Sequence, residues 1–514
     1  MPQQGPATPV IAALSLVALA VAVAAPARAL EQIELQIPLV ETTFTIRLDE
    51  LSEPRGLLTG SSDLAELNRA SDGAVGRRIV GLFNAPLPLQ TRAVVSQSAG
   101  SPLAQQALLL LSSLGGVDGL PVDLSGEQVS AALDRAAREG PLTMLGVLRS
   151  LPGCTATVDL EKGLFLLNRL NNQLRPADRL LAEIPPAHAS QALSSPGPSP
   201  VERAPFSLPV PYRAEPLGLV VIRPEQGASG RLVIISHGLW DGPESFEGWA
   251  RHLASHGYVV LLPRHPGSDS EQQQAMLSGT VPPPGPAELR LRPLDVSALI
   301  DATAAGRLPL PPGLHTDSVV VLGQSWGAAT ALQLAGAKPS SRQLQRRCQD
   351  LQDPDRNLSW VLQCSFLSSA DQAGLADPRV KAVVAVSPPM ALLFDAESGS
   401  SMQARALVVS GSRDWVVPPI PEAIKPMARH QRRSGDGHRL VLVRGGDHFN
   451  LGSPYDAGGG PLRGLLLGWV NGAFAAGPAV APGPGAPALL PPDGWGDDTL
   501  PMSDVSDRLQ SWEP

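Results

Sequence analysis

A serine hydroxyl becomes a useful nucleophile only when a base takes its proton, and the base works best when a carboxylate orients it. The 514-residue chain contains an ordered set of residues of these types. Gly323-Gln324-Ser325-Trp326-Gly327 is a G-x-S-x-G pentapeptide, preceded by the β-branched run Val319–Leu322 and followed by the small-residue helical stretch Ala328–Leu334. A serine on a sharp strand-to-helix turn needs this context, because side chains at the flanking glycines would clash with the neighbouring strand and helix. The partners are expected in the chain order Ser, acid, His, each on a loop after a later strand. Asp414 follows the run Arg405–Ser410, and His448 follows Arg439–Val443. Ser325 is therefore read as nucleophile, Asp414 as orienting acid and His448 as base. Of the nine histidines, His438 precedes the last strand, at the wrong end of the sheet, and His430 lies on an expected helix. Asp447 adjoins His448, but adjacent side chains diverge, so a structural role is expected for it.

The tetrahedral intermediate of acyl transfer needs two N–H donors. One is expected from Trp326, next to the nucleophile, and the other from Leu239 in the His237-Gly238-Leu239-Trp240 loop after Arg231–Ser236. His237 is expected to brace that loop. Trp240, His265 and Trp415 are expected around an apolar acyl pocket.

These residues must be positioned by strands. Seven short apolar runs occur at Leu217–Ile222, Arg231–Ser236, Tyr258–Leu262, Ser318–Leu322, Val380–Val386, Arg405–Ser410 and Arg439–Val443. They are nearly continuous in apolar character, as in strands covered on both faces. Phe246, Trp249, Ala250 and Leu253 follow helical spacing, as do Leu462, Leu465, Leu466 and Trp469. Strands alternating with helices predict an α/β domain over 206–475 with a mostly parallel, doubly wound sheet.

Residues 30–184 read as a smaller, mainly helical domain. Its strand pair is marked by alternation at Ile33, Leu35, Ile37 and Leu39 and at Phe44, Ile46 and Leu48. Ser125-Gly126-Glu127-Gln128 resembles a capping box for a helix burying Val129, Ala132, Leu133 and Ala136. The apolar stretches Leu108–Leu111 and Leu164–Leu167 are expected to be buried. Residues 185–205 read as a Pro/Ser-rich linker, and 476–514 as a disordered tail. Val10 to Ala24 is a compact apolar run before Pro26-Ala27-Arg28-Ala29, which reads as an export signal over 1–29 cleaved near Ala29. The n-region lacks Lys and Arg, so an uncleaved anchor is the alternative. Export would place the chain in the periplasm or outside the cell. The three cysteines match no zinc spacing. Residues 338–378 interrupt the strand–helix rhythm, and Cys348 and Cys364 within them are expected to pair, two buried thiols being the alternative. The net charge of −8, with charged residues at 17%, and the absence of a long Lys/Arg run argue against nucleic acid as partner. Neither a metal nor an organic cofactor is expected, and the oligomeric state is open.

Ser236-His237-Gly238, Arg264-His265-Pro266-Gly267-Ser268, Gly323–Gly327, Gly411–Pro418 and Gly446-Asp447-His448 together resemble the α/β-hydrolase superfamily. The likeness spans 217–470 and is greatest to the group of platelet-activating-factor acetylhydrolases, dienelactone hydrolases and cutinase-like polyesterases. The N-terminal region is similar to an uncharacterised domain that precedes such hydrolases in some photosynthetic bacteria. The resemblance implies an α/β-hydrolase fold and a secreted esterase acting on a small ester or lipid, with lipid degradation as a role. In the acetylhydrolases the acid follows the strand after the nucleophile. Here that place reads Ser387-Pro388-Pro389, so Asp414 has the dienelactone-hydrolase and cutinase placement. An acyltransferase using the same triad, or a non-catalytic binding protein on this fold, are the alternatives.

Overall fold

The computed structural model describes residues 29–512 apart from 39–41, 88–89, 118–125, 396, 399–400 and 433–435. The expected export signal and the Ser125 cap fall outside the described residues. The chain forms two compact units, one made of residues up to Leu89 plus Leu114–Lys162, the other of Gln90–Ser113 plus Gly163 onward.

The smaller unit is of mixed β/α type, which corrects the mainly helical expectation. Strands β1 (Gln32–Ile37) and β2 (Thr42–Arg47) pair antiparallel as expected. Two further strands, β3 (Gly115–Val117) and β4 (Thr155–Asp159), extend the sheet in the order β2-β1-β4-β3. β4 lies parallel to β1 over a separation of more than a hundred residues, and no local pattern announces such a partner. Leu48, Leu51, Leu57, Leu64, Ala132 and Leu145 are among its core residues.

All seven apolar runs of the larger unit are strands. They are β6 (Leu217–Pro224), β7 (Arg231–Ser236), β8 (Val259–Pro263), β9 (His315–Gln324), β10 (Val380–Val386), β11 (Arg405–Gly411) and β12 (Arg439–Val443). With β5 (Val201–Leu208) and β13 (Met502–Asp504) they form a nine-stranded sheet, ordered β13-β12-β11-β10-β9-β7-β8-β6-β5. The six strands from β12 to β8 are mutually parallel, whereas β5, β6 and β13 join antiparallel. Both faces are covered, which explains the unbroken apolar runs. Leu232, Ile234, Val319 and Val321 enter one core, while Val233, Ile235, Val320 and Leu322 enter the other. Helices Glu247–Ser255 and Arg463–Ala476 bury the stripes expected of them against the second core.

Several boundaries differ from the expectation. β5 begins inside the expected linker and tolerates Pro205 because it is an edge strand. The linker itself is held down, with Gly197 N–H donating to Ser255 Oγ and Ala187 N–H to the Met502 carbonyl. The expected disordered tail supplies β13 and buries Trp495, Met502, Val505 and Leu509. These anchors are too sparse to leave a periodic signal. Residues 90–113 and 163–184 belong with the sheet, not with the small unit. Leu103 enters one core, and Ala177, Leu180 and Leu181 pack with Ile420, Ile424 and Leu440. Leu111, Leu164 and Leu167, expected inside, are 62%, 49% and 58% exposed. Among the described residues no helix is long and apolar enough to cross a membrane.

The interrupting segment folds as helices Ser341–Arg347 and Ser359–Ser365, and Cys348 and Cys364 are joined by a disulfide with Cα atoms 5.7 Å apart. Cys154 is free.

A buried histidine makes stability depend on pH. His252 donates from Nε2 to the Leu193 carbonyl at 2.9 Å. Burial pulls its pKa down to about 4, against the opposing effect of that hydrogen bond. The unfolded chain takes the proton near 6.5, so the contribution to stability is complete above that pH. It is lost as the pH falls toward about 4, at roughly 1.4 kcal/mol per pH unit. In urea titrations from pH 7.5 to 4.5, His252→Gln, which can still donate to Leu193, is expected to reduce the acid-side slope by that amount. Identical slopes in the two proteins would refute this.

Candidate active site

Each candidate residue sits at the C-terminal end of a parallel strand, where open α/β sheets bind their ligands. Ser325 follows β9 with φ 53° and ψ −120°, outside the regions a non-glycine residue ordinarily occupies, and helix Trp326–Leu334 starts directly after it. The flanking glycines are required by close approach. A Cβ on Gly323 would lie 2.0 Å from the Gly327 carbonyl oxygen, and one on Gly327 would lie 2.0 Å from that of Ser236. Three of the four described non-glycine residues with positive φ, Trp240, Ser325 and Ser387, follow β7, β9 and β10 at this end of the sheet.

Asp414 and His448 are brought together. His448 Nδ1 lies 3.0 Å from Asp414 Oδ2, and Asp414 Oδ1 accepts N–H bonds from Val416 (3.0 Å) and Val417 (2.8 Å). Asp414 is fully buried, while Ser325 and His448 retain 8% and 9% exposure. Ser325 and His448 line one cavity of about 250 Å³ with Leu239, Asp241, Phe246 and Phe449. Among the described residues no hydrogen bond closes on Ser325 Oγ. Asp447 turns away from the histidine ring and accepts the N–H groups of Phe449 and Asn450, both at 2.8 Å. Asp395, the other carboxylate to consider, caps Ser398 and faces Arg342 at 3.9 Å.

The three expected pocket residues are placed otherwise. His265 is fully buried and bonded to Ser236 Oγ (2.9 Å) and Asp295 Oδ2 (2.8 Å), so it does not line the cavity. Trp240 packs on the core and donates from Nε1 to Gln272 Oε1 at 2.8 Å. Trp415 is 47% exposed and lies 6.3 Å, centroid to centroid, from Phe449, which does line the cavity. Their types indicated aromatic and polar neighbours, but side-chain direction is set by tertiary packing. Trp326 is fully buried, its ring packed against Phe366 and the Arg292 guanidinium.

Other supporting residues carry no sequence motif. Gln324 Nε2 donates to the His448 carbonyl at 3.0 Å, tying the loop that carries His448 to the end of β9. Glu422, buried on a π-helical turn, accepts from Asn357, Ser359, Gln363 and the N–H groups of Met390 and Ala391. One carboxylate thus fastens the disulfide-bearing segment to the loop after β10. His430, Asp436 and His438 cluster at the opposite strand ends. Ala406 N–H donates to His438 Nδ1, which puts that ring's proton on Nε2 and removes the lone pair a metal would need.

No protein-family model matches the chain, and no curated protein matches its sequence. Fold and site define a mixed α/β protein with a large, mostly parallel sheet.

Proposed function

We propose that the protein is a serine hydrolase of the α/β-hydrolase fold that cleaves carboxylic esters through an acyl-enzyme. The observation that carries this reading is one cavity holding a serine on a strained strand-to-helix turn and a histidine whose Nδ1 meets a buried carboxylate. Ser325 Oγ attacks the ester carbonyl carbon as His448 Nε2 takes its proton. The N–H groups of Trp326 and Leu239 stabilise the oxyanion, and its collapse expels the alcohol, which receives the proton from His448. Water then releases the acid by the same route. The sequence needs no metal or organic cofactor. The strand order, an antiparallel pair before six parallel strands with the nucleophile after β9, is consistent with that fold. Export accords with the Cys348–Cys364 disulfide, since such bonds persist in oxidising compartments.

A fluorophosphonate tests this directly. Incubation is expected to attach one phosphonyl group to the peptide holding Ser325 and to abolish turnover of p-nitrophenyl esters in proportion to labelling. A fully labelled protein that still cleaves esters, or an adduct elsewhere, overturns the reading. Product analysis with added alcohols distinguishes hydrolysis from acyl transfer.

A further inference from the structure

Beneath the loop after β7 lies a buried polar cluster that the proposed chemistry does not use directly. Ser236, His265, Asp295 and Arg292 are each completely buried. Ser236 Oγ, His265 and Asp295 form a serine–histidine–aspartate chain like the catalytic one, but no substrate can reach it. Arg213 closes the far end, pairing with Asp295 and Glu288 at 2.7 Å each. The two guanidinium groups of Arg213 and Arg292 are balanced by the carboxylates of Glu288 and Asp295. Burial lowers the Arg292 pKa to about 9, opposed by those carboxylates, so the group stays charged at neutral pH.

Proton positions follow from the donors. The His265 N–H donates to His237 Nε2 at 3.0 Å, so His237 carries its proton on Nδ1 and donates to the Gly238 carbonyl at 2.8 Å. Burial, with Arg292 nearby, holds both rings well below the ordinary histidine pKa and so neutral. Arg292 Nη1 donates to the His237 carbonyl at 2.7 Å, and Nη2 to the carbonyls of Gly238 (3.1 Å) and Ser268 (3.2 Å). Its Nε donates to Ser268 Oγ at 3.0 Å.

In a trans peptide the N–H of one residue points opposite to the C=O of the residue before it. The Gly238 carbonyl is turned inward by two donors, so the Leu239 N–H is turned outward, on the side where Gly238, Leu239 and Ser325 line the cavity. Arg292 also stacks on the Trp326 ring, 4.2 Å from its centroid, and so touches Trp326 and, through the Gly238 carbonyl, the peptide that carries the Leu239 N–H. We propose that Arg292 is a positioning residue: by binding the His237 and Gly238 carbonyls it aims the Leu239 N–H at the oxyanion. The inference rests on the serine hydrolase reading.

The test compares p-nitrophenyl oxoesters with the matching thionoesters. A thiocarbonyl sulfur accepts hydrogen bonds poorly, so the oxo-to-thiono ratio of kcat reports on the oxyanion donors and is insensitive to the fraction of folded enzyme. Arg292→Met is expected to lower that ratio about 10- to 100-fold with little change in KM. Arg292→Lys is expected to fall between, since an ammonium lacks the planar fork that serves several acceptors at once. If Arg292→Met does not fold, Ser268→Ala, which removes one tether of the guanidinium, carries the same measurement, with a several-fold drop expected. Variants in which both rates fall together, only KM changes or the ratio holds overturn the inference. Wild-type protein without esterase activity or Ser325 labelling instead overturns the hydrolase reading.

Discussion

Replacing Ser325 with alanine is expected to reduce ester turnover by roughly 10³- to 10⁶-fold while the protein stays folded. On the proposed reading this hydroxyl forms the acyl-enzyme. Its loss leaves the cavity, the His448–Asp414 pair and the oxyanion peptide in place, so a residual rate above the uncatalysed one remains. Folding is expected to change little, because Ser325 Oγ makes no hydrogen bond among the described residues and alanine keeps the Cβ that the elbow already accommodates. Initial rates on p-nitrophenyl esters, with thermal melting as the control, check both parts. Near-normal turnover in a pure, folded sample rejects Ser325 as nucleophile.

Asp414→Asn is expected to cost about 10³- to 10⁴-fold in kcat, far more than Asp447→Asn or Asp395→Asn. The reason lies in the hydrogen bonds. Two backbone N–H groups, of Val416 and Val417, converge on Oδ1 and would hold the asparagine carbonyl oxygen there. The amide NH₂ would then face His448 Nδ1. That ring nitrogen must accept, its proton moves to Nε2, and Nε2 can no longer take a proton from Ser325. By contrast, Asp447 only shapes the turn at Phe449 and Asn450, where asparagine serves nearly as well. Rates for the three variants against the wild type decide the matter, and a greater loss at Asp447 or Asp395 would move the acid.

The seven sheet runs and the elbow pentapeptide were legible because their causes are local. A strand covered on both faces must be apolar throughout, and a serine on a sharp turn between strand and helix must have glycines beside it. Chain order then selected Asp414 and His448, and the structure places these two 3.0 Å apart. The edges were not legible. β5 contains a proline and is half exposed, β13 has three residues, and both depend on partners distant in the chain. The same holds for residues 90–113 and 163–184, whose apolar faces do not reveal which core they enter.

The sequence by itself determined the α/β class, the order of the parallel strands' residues along the chain and the chemical types offered at three strand ends. These follow from periodicity, turn chemistry and the needs of a nucleophile, all read over a few neighbouring residues. Only the tertiary structure decided that His265 is an internal brace and not a pocket residue, that Glu422 fastens the disulfide-bearing segment, and that Arg292 lies under the loop after β7. A buried polar side chain is defined by the groups it meets, and those groups come from segments far apart in the chain. Their spacing in the chain carries no trace of the meeting.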